Sequence, residues 1–568
     1  MAAQLADGKW PYVDYFFAHP PLHVLLPGAF FAVFGYSLTF AKLFSATAAA
    51  VSGGAIWAIG RRHFGPVTAV LAAALFLFAS QTLKASTNMT GVNLTTMWLA
   101  LALWQLLRGR GFTAGALFGL AVTTGFYSVA AVCAALALSL FRWPQGATSR
   151  RARYRFALRL AAGVVVVAGS INLVFYLVAS DAYVEGVYTY HSLKALRDPH
   201  MVPLFGGDIA FPLSLLHNIG ELVDGREFTK ELYYHSHLWL GLLAAPLVGA
   251  AAFFSDGARR AKWWRFFAPS RLHQDGPHGA AALLWLVAVA LFVQYAMFRE
   301  LYSFYWVLIY PTLSLSTAYA LVYGARLVID APRPAALGGG LTALAGVVAI
   351  ALLASHRPWS GSLQSVFHDE LEETGRRNDY IWRSAPILSG LADPVVHALF
   401  WNDYRLKGNL EHGYRHYLWT KKRALSTLDE VAGYVRDHSA PDETIAGSST
   451  LAPIVALAAG RRIAADEADT NNKRFKTGLL AEADYWNTIC ADQVRFIVAT
   501  PRSYFTTSRM DNLPTATRWF SRVKSFEDDQ LRYRGSFPIV LYERVGDPPD
   551  GSGAVCRWEP KPGGERGR

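Results

Sequence analysis

The residues best equipped for chemistry gather near the start of the chain, in Asp7-Gly8-Lys9-Trp10-Pro11-Tyr12-Val13-Asp14-Tyr15-Phe16-Phe17-Ala18-His19-Pro20-Pro21-Leu22-His23. Carboxylates and imidazoles are the groups that carry protons near neutral pH, and Pro20 biases His19 away from helix. The same stretch also reads as an amphipathic approach loop whose aromatics sit at headgroup depth. Both readings stand on the residues alone. Arg299, just before Tyr302 and Tyr305, offers a planar fork of donors that suits a phosphate. Its alternative is an arginine snorkelling to an interface, and Lys84 carries the same two readings. A later loop holds Asp181, Glu185, Tyr188, Tyr190 and His191, which suits the acceptor side. His412 and His416 have the four-residue spacing of zinc ligands on a helix. Gly413 intervenes and no Glu stands at the matching offset, so an interfacial helix takes precedence. A divalent metal is the one cofactor left in view.

These groups need elements to position them, and composition says which. Of 568 residues 52% are hydrophobic and only 17% charged, against about 25% charged in globular proteins. Disorder is excluded, and the deficit argues against an ordinary soluble enzyme. Only 14 of the 42 Asp and Glu precede residue 356, and Asp7 and Asp14 are the only acids in the first 180 residues. Three cysteines exclude a disulfide-dense scaffold. A net charge of +12 would suggest nucleic acid in a soluble protein. Here much of the Lys and Arg lies in short loops between apolar runs, so the partner is a lipid bilayer and no nucleic acid is expected.

Apolar stretches long enough to span hydrocarbon fall near 38–60, 66–83, 92–107, 157–179, 236–255, 279–297, 304–325 and 335–355, and 112–141 makes two short spans with a break near Thr123–Tyr127. The expected fold is an α-helical polytopic membrane protein with about ten spanning helices and a C-terminal extracytoplasmic α/β domain. Alternate loops carrying Arg61, Arg62, Arg108, Arg110, the run from Arg142 to Arg159, Arg259, Arg260 and Arg326 should face the cytoplasm. The N-terminus, the 180–235 loop and everything after 356 then lie outside.

The organisation expected is an outer first loop with an interfacial helix at 1–37, a membrane domain at 38–355, an aromatic and charged juxtamembrane linker at 356–425, an α/β domain at 426–546 and a disordered tail at 547–568. Within the α/β domain, Glu443–Ala446, Arg495–Ala499 and Pro538–Tyr542 read as buried strands, and Leu451–Ala459 and Ala516–Phe526 as helices. Cys490 and Cys556 share the outer compartment and either pair or, if the tail is mobile, stay as thiols. Cys133 reads as an apolar filler in a span. No P-loop, Gly-rich dinucleotide loop or intramembrane acid is present.

The pattern Asp7-Gly8, Pro11-Tyr12, Asp14, Phe16, His19-Pro20-Pro21-Leu22, with Phe34-Gly35-Tyr36-Ser37 before a helix ending Arg61-Arg62-His63-Phe64-Gly65, resembles the GT-C superfamily. The likeness extends to Gly119-Leu120-Ala121, to Phe304-Tyr305-Trp306-Val307-Leu308-Ile309-Tyr310-Pro311, and to Ile445–Ser449, Arg461–Ala464 and Asp469-Thr470-Asn471. Members are membrane glycosyltransferases using polyprenyl-phosphate sugars, including bacterial relatives of protein mannosyltransferases and the aminoarabinose transferase. The resemblance implies transfer of a sugar from such a donor to an extracytoplasmic protein, lipid or cell-wall glycan, at the inner (plasma) membrane. It implies a carboxylate in the first outer loop that acts as general base or orients the acceptor nucleophile. The family's principal acid, in an Asp-Glu pair about ten residues before the equivalent of Asp7-Gly8, would lie upstream of Met1, so an in-frame extension of about 30–40 codons is expected, one spanning helix plus flanks. Asp14 is then the catalytic carboxylate or a loop-capping Asp. His19 stands where the aminoarabinose-transferase type carries a basic residue against the lipid phosphate. With Lys84, Arg299, Tyr302 and Tyr305 it makes the substrate-binding set, and Asn93 stands where some relatives carry a second acid. The rival readings are a transporter or flippase for lipid-linked glycans and a pseudoenzyme derived from the family. A transporter should show paired halves with broken helices, and no internal repeat is present.

Overall fold

The computed structural model describes residues 1–86, 89–142, 149–191, 193, 236–255, 277–296, 303–329, 427–492, 494–500, 503–526, 538–546 and 555–559. The expected span at 335–355, the linker at 356–425 and His412 and His416 lie outside these residues. The body is helical: α1 Ala2–Ala6, α2 Leu22–Phe34, α3 Leu38–His63, α4 Pro66–Leu77, α5 Ser80–Ser86, α6 Gly91–Leu107, α7 Gly111–Thr124, α8 Val129–Arg142, α9 Arg150–Val184, α10 Ser236–Ser255, α11 Pro277–Ala296 and α12 Tyr310–Ile329. Among the described residues three helical stretches are long and apolar enough to cross a bilayer, Thr39–His63, Arg150–Thr189 and Pro277–Tyr295.

The anticipated interruption of 112–141 is present. α7 stops at Thr124, Gly125 is extended, and a 3-10 turn at Phe126–Ser128 leads into α8. The single span expected at 66–83 is instead two helices, because α4 ends before Phe78 and α5 restarts at Ser80. Phe78 and Ala79 close the end of α4 by bonding back to the Ala74 and Phe76 carbonyls.

One apolar core joins α3, α4, α6, α7, α8, α11 and α12, with Ile56, Phe76, Phe118, Tyr295, Trp306 and Tyr310 fully buried. In lipid, helices gain little from apolar burial against each other, so close backbone approach and polar contacts carry association. Both are present. Gly111, Gly115 and Gly119, four apart, put one bare stripe of α7 against α9. A Cβ on Gly115 would sit 2.0 Å from the Leu160 carbonyl oxygen, and one on Gly163 would sit 2.3 Å from that of Phe112. Thr317 Oγ1 donates across helices to the Leu238 carbonyl at 2.9 Å, and Trp285 Nε1 to that of Leu242 at 2.6 Å.

The C-terminal domain is α/β. Its elements are α13 at 427–437, β1 Thr444–Gly447, α14 Ala452–Ala459, β2 Arg462–Ile463, α15 Asn472–Thr477, α16 Glu482–Ala491, β3 Phe496–Ala499, α17 Pro514–Trp519, β4 Phe520–Phe526 and β5 Ile539–Arg544. The sheet order is β2-β1-β3-β5-β4, with β2, β1 and β3 parallel and β5 antiparallel to both β3 and β4. Side chains alternate along a strand, so each strand feeds two cores. Ile445, Phe496, Val498 and Leu541 pack with Val431, Val435 and Val455 from α13 and α14. Ala446, Ile497, Val540 and Tyr542 pack with Trp486, Ile489 and Trp519 from α16 and α17.

Two expectations are corrected. Ala516–Phe526 is not one helix: α17 ends at Trp519 and Phe520–Phe526 pairs with β5 across a bulge between Arg522 and Lys524. Unpaired backbone on β5 outweighs the weak local helical preference, and the charged Arg522 and Lys524 suit an edge strand. Part of the tail is also ordered. Cys490 and Cys556 form a disulfide with Cα atoms 5.3 Å apart. Trp558 stacks near Trp486 at 6.4 Å, and Arg518 pairs with Glu559 at 3.0 Å. Apolar burial and a covalent tie hold what composition alone marks as mobile. Cys133 is a free thiol on an exposed face of α8.

The glycine stripe and the disulfide can each be tested. Overpacking costs about 1–3 kcal/mol, and more where backbone must move. Gly115→Ala should therefore lower the unfolding midpoint of the detergent-purified protein and Gly115→Val should remove its monodisperse folded peak. Gly54→Ala, where a Cβ meets nothing within 4 Å, should do neither. The bridge closes a loop with a sequence separation of 66, which on the chain-entropy model stabilises by roughly 4 kcal/mol. Cys556→Ser should lower the C-terminal domain's unfolding midpoint in non-reducing buffer, and reductant should bring the unaltered chain to the same value.

Candidate active site

The first loop is folded on itself before it meets anything else. The Trp10 amide donates to Asp14 Oδ2 at 2.6 Å, and the Tyr12 amide to the Tyr15 carbonyl at 2.9 Å. Tyr12 adopts φ +68°, a left-handed conformation that turns its ring inward. There it meets Tyr183 at 5.1 Å, Phe175 at 5.5 Å and Phe17 at 5.8 Å, all edge-on. Edge-to-face packing is the favoured aromatic geometry. The Asp14 carboxylate is thus exposed and capped onto its own loop.

Three imidazoles from distant positions gather behind that turn. His19 stacks on His23 with centroids 4.4 Å apart and planes 10° from parallel, and His191 is 6.1 Å from His19. His191 Nε2 lies 2.6 Å from the Ala18 carbonyl oxygen and so carries the proton there. His23 Nε2 accepts from the Gly91 amide at 3.1 Å, which requires an unprotonated Nε2. Burial favours the neutral ring as well. The approach depends on glycine: a Cβ at Gly91 would lie 2.2 Å from the His23 ring. His19 is half-buried, and when protonated it can donate to an anionic ligand.

The helix break forms the neighbouring wall. Gln294 bridges it, donating to the Phe126 carbonyl at 3.0 Å and accepting from the Ala130 amide at 2.9 Å. Tyr127 lies 4.8 Å from Tyr305, whose carbonyl accepts from the Tyr295 hydroxyl at 3.0 Å. Phe126 meets Tyr188 at 5.7 Å. Asn93 is buried and donates to the Ala85 carbonyl. Arg299 and Tyr302 lie outside the described residues. Lys84 sits in α5, and its side chain lies outside them too. Of the residues singled out from sequence, Asp14 and His19 share one loop, and His191 joins His19 across 172 positions of chain. Tyr305 belongs to the Tyr127 wall. Gln294 and the contact of His23 with Gly91 carry no sequence signal, because each is made across a wide separation of chain.

The C-terminal domain reaches this loop through the segment after β2. Ala465 and Asp466 both hold left-handed φ, 54° and 56°. Lys9 pairs with the Asp466 carboxylate, and Gln4 Nε2 donates to its carbonyl at 2.7 Å. Arg474 lies over the Phe16 ring, its Cζ 3.7 Å from the centroid. Arg474 Nη1 also pairs with Glu467 Oε1 at 2.6 Å and donates to the Asp469 carbonyl at 2.8 Å. Burial raises the pKa of Glu467, with Arg474 pulling it back, and burial likewise raises that of Asp469. Among the described residues no group of three or more His, Cys, Asp or Glu is arranged to hold a metal.

Residues 18–174 match the family described as dolichyl-phosphate-mannose-protein mannosyltransferase. Among solved structures, the chain is similar to ArnT from Cupriavidus metallidurans bound to undecaprenyl phosphate, at 14% identity and a TM-score of 0.50, covering 95% of this chain and 91% of that one. The apo state of that ArnT gives 17% identity and a TM-score of 0.48 over the same shares. The oligosaccharyltransferase AglB from Archaeoglobus fulgidus, in complex with an inhibitory peptide and a dolichol-phosphate, gives 13% identity and a TM-score of 0.40, covering 95% of this chain and 69% of that one. No curated protein sequence matches the chain. The family match opens at Ala18, whose carbonyl His191 holds, and the helical body with its C-terminal sheet has the fold of that ArnT: residues 18–174 resemble the mannosyltransferase family, and the chain as a whole shares the fold of a membrane enzyme of this type.

Proposed function

We propose that this protein moves one sugar from a polyprenyl-phosphate carrier to an acceptor on the outer face of the inner membrane, with the first loop, the 180–235 loop and the C-terminal domain on that side. The observation that carries the reading is the clustering of His19, His23 and His191 at the point where the family match begins. Within this cluster His23 and His191 bond to backbone and hold His19, which when protonated can donate to a phosphate oxygen. The ArnT of Cupriavidus metallidurans is bound to undecaprenyl phosphate in its crystal structure, which favours a polyprenyl phosphate here.

In the reaction an acceptor hydroxyl or amine loses its proton to a carboxylate and attacks the anomeric carbon. The bond from that carbon to the phosphate oxygen breaks, and polyprenyl phosphate leaves with its electron pair. Asp14, an exposed carboxylate of the first loop beside the segment that carries His19, is assigned the proton-accepting role. His19 and Arg299 stabilise the charge that develops on the leaving phosphate, as positioned donors do for any growing anion. Lys84, Tyr302 and Tyr305 complete the donor side.

The full chain in proteoliposomes, given radiolabelled polyprenyl-phosphate sugars, should release free polyprenyl phosphate. No release with any donor and acceptor pairing would reject the reading. His19→Ala and Arg299→Ala should each slow release by about 10²–10³, and unchanged rates in both well-expressed variants would remove them from the site. Asp14→Asn separates two roles. The amide oxygen still accepts from Trp10, so the turn survives while the base is lost. A rate loss of about 10²–10⁴ with an unaltered melting point assigns a general base; a wild-type rate assigns capping alone.

A further inference from the structure

We propose that Arg474, carried by the C-terminal domain, is a positioning residue for the first loop. It grips Phe16 and so fixes the segment that holds Asp14 and His19. Phe16 lies two residues after Asp14 and three before His19. Its ring has two partners. The Arg474 guanidinium lies against it, Cζ 3.7 Å from the centroid. Tyr190 meets it edge-on at 5.7 Å, next to the His191 that holds the Ala18 carbonyl.

The arrangement works against stability, which argues for a role beyond it. Arg474 is only 3% exposed, and its Nε is buried without a hydrogen-bond partner. Its charge is balanced by Glu467 at 2.6 Å and the Asp469 carbonyl at 2.8 Å. Buried ion pairs seldom outperform apolar side chains of the same volume, and fixing one register is their best-attested use. The segment that supplies Glu467 and Asp469 begins at Ala465 and Asp466, both left-handed without being glycine. That strain delivers Asp466 to Lys9, giving the loop a second anchor seven residues before Phe16. Arginine is needed at 474 because a planar guanidinium can stack on a ring while its edge serves a carboxylate; an ammonium cannot do both.

The inference rests on the reading of the first loop as the donor-side loop, and its test separates the two. Hydrogen exchange is followed at the amides of residues 14–19 in the full chain in lipid nanodiscs, and undecaprenyl phosphate is titrated into the same samples. Phe16→Leu and Arg474→Lys should each speed exchange there by about 30-fold, the scale of a desolvated cation–π contact, and weaken undecaprenyl phosphate binding. Phe16→Tyr keeps a ring under the guanidinium and should match the unaltered chain in both readouts. Phe16→Leu leaves the Arg474–Glu467 pair intact, so it guards against simple unfolding of the domain. Unchanged exchange at 14–19 in Phe16→Leu and Arg474→Lys overturns the proposal. So does a fall in the C-terminal domain's melting point with the loop's exchange unaltered, since that is what a purely structural arginine would give. If the unaltered chain fails to bind undecaprenyl phosphate, the donor reading falls, while the exchange data still decide whether Arg474 positions the loop.

Discussion

A non-helical loop set against an apolar body must have its backbone polar groups satisfied, since hydrocarbon offers no partners. This constraint shapes the first loop. The Ala18 carbonyl is met by His191, the His19 carbonyl by the Tyr12 hydroxyl, and the Gly91 amide at the start of α6 by His23. The side chains that provide these bonds are the same ones that create a polar corner. Two of the three imidazoles are therefore committed to the backbone, and their commitment sets the plane and neighbourhood of His19. Glycine is required wherever the approach is closest. Gly186, for example, would drive a Cβ to 2.3 Å from the Phe17 carbonyl oxygen.

The second constraint is the broken helix beside it. Ending α7 at Thr124 exposes carbonyls and amides that a continuous helix would have paired. Gln294 answers two of them from α11, one as donor and one as acceptor. A neutral amide side chain suits this task because it carries both functions and no charge to desolvate. The break thereby becomes a wall lined by Tyr127 and Tyr305. The C-terminal domain meets the first loop through Asp466 and Arg474.

Much of this is legible in the residues. Apolar runs of bilayer length, the change of composition near residue 356, and the strands at 444–447, 496–499 and 539–544 follow from local pattern. Asp14 shows the limit. Its place in an aromatic loop marks it for chemistry or for capping, and the bond from Trp10 is a local detail of a five-residue turn that no periodicity encodes. The Phe520–Phe526 strand is disguised as helix in the local pattern, because its own preference is weak and its partner, β5, is formed 13 to 24 residues later in the chain.

By itself the sequence determined the class of molecule: a charge-poor helical body, a charged α/β domain after it, and a polar, aromatic first loop. These follow from hydropathy and short-range spacing, which act within one or two turns of chain. Only the tertiary structure decided which residues meet. His19, His23 and His191 are brought together by the packing of α2, α6 and the end of α9. Arg474 reaches Phe16 across 458 positions, because a strained segment of one domain lies against the loop of the other. Such contacts depend on how closely two backbones approach. That distance is set by glycines, aromatic edges and satisfied amides acting in concert, and no single stretch of sequence contains it.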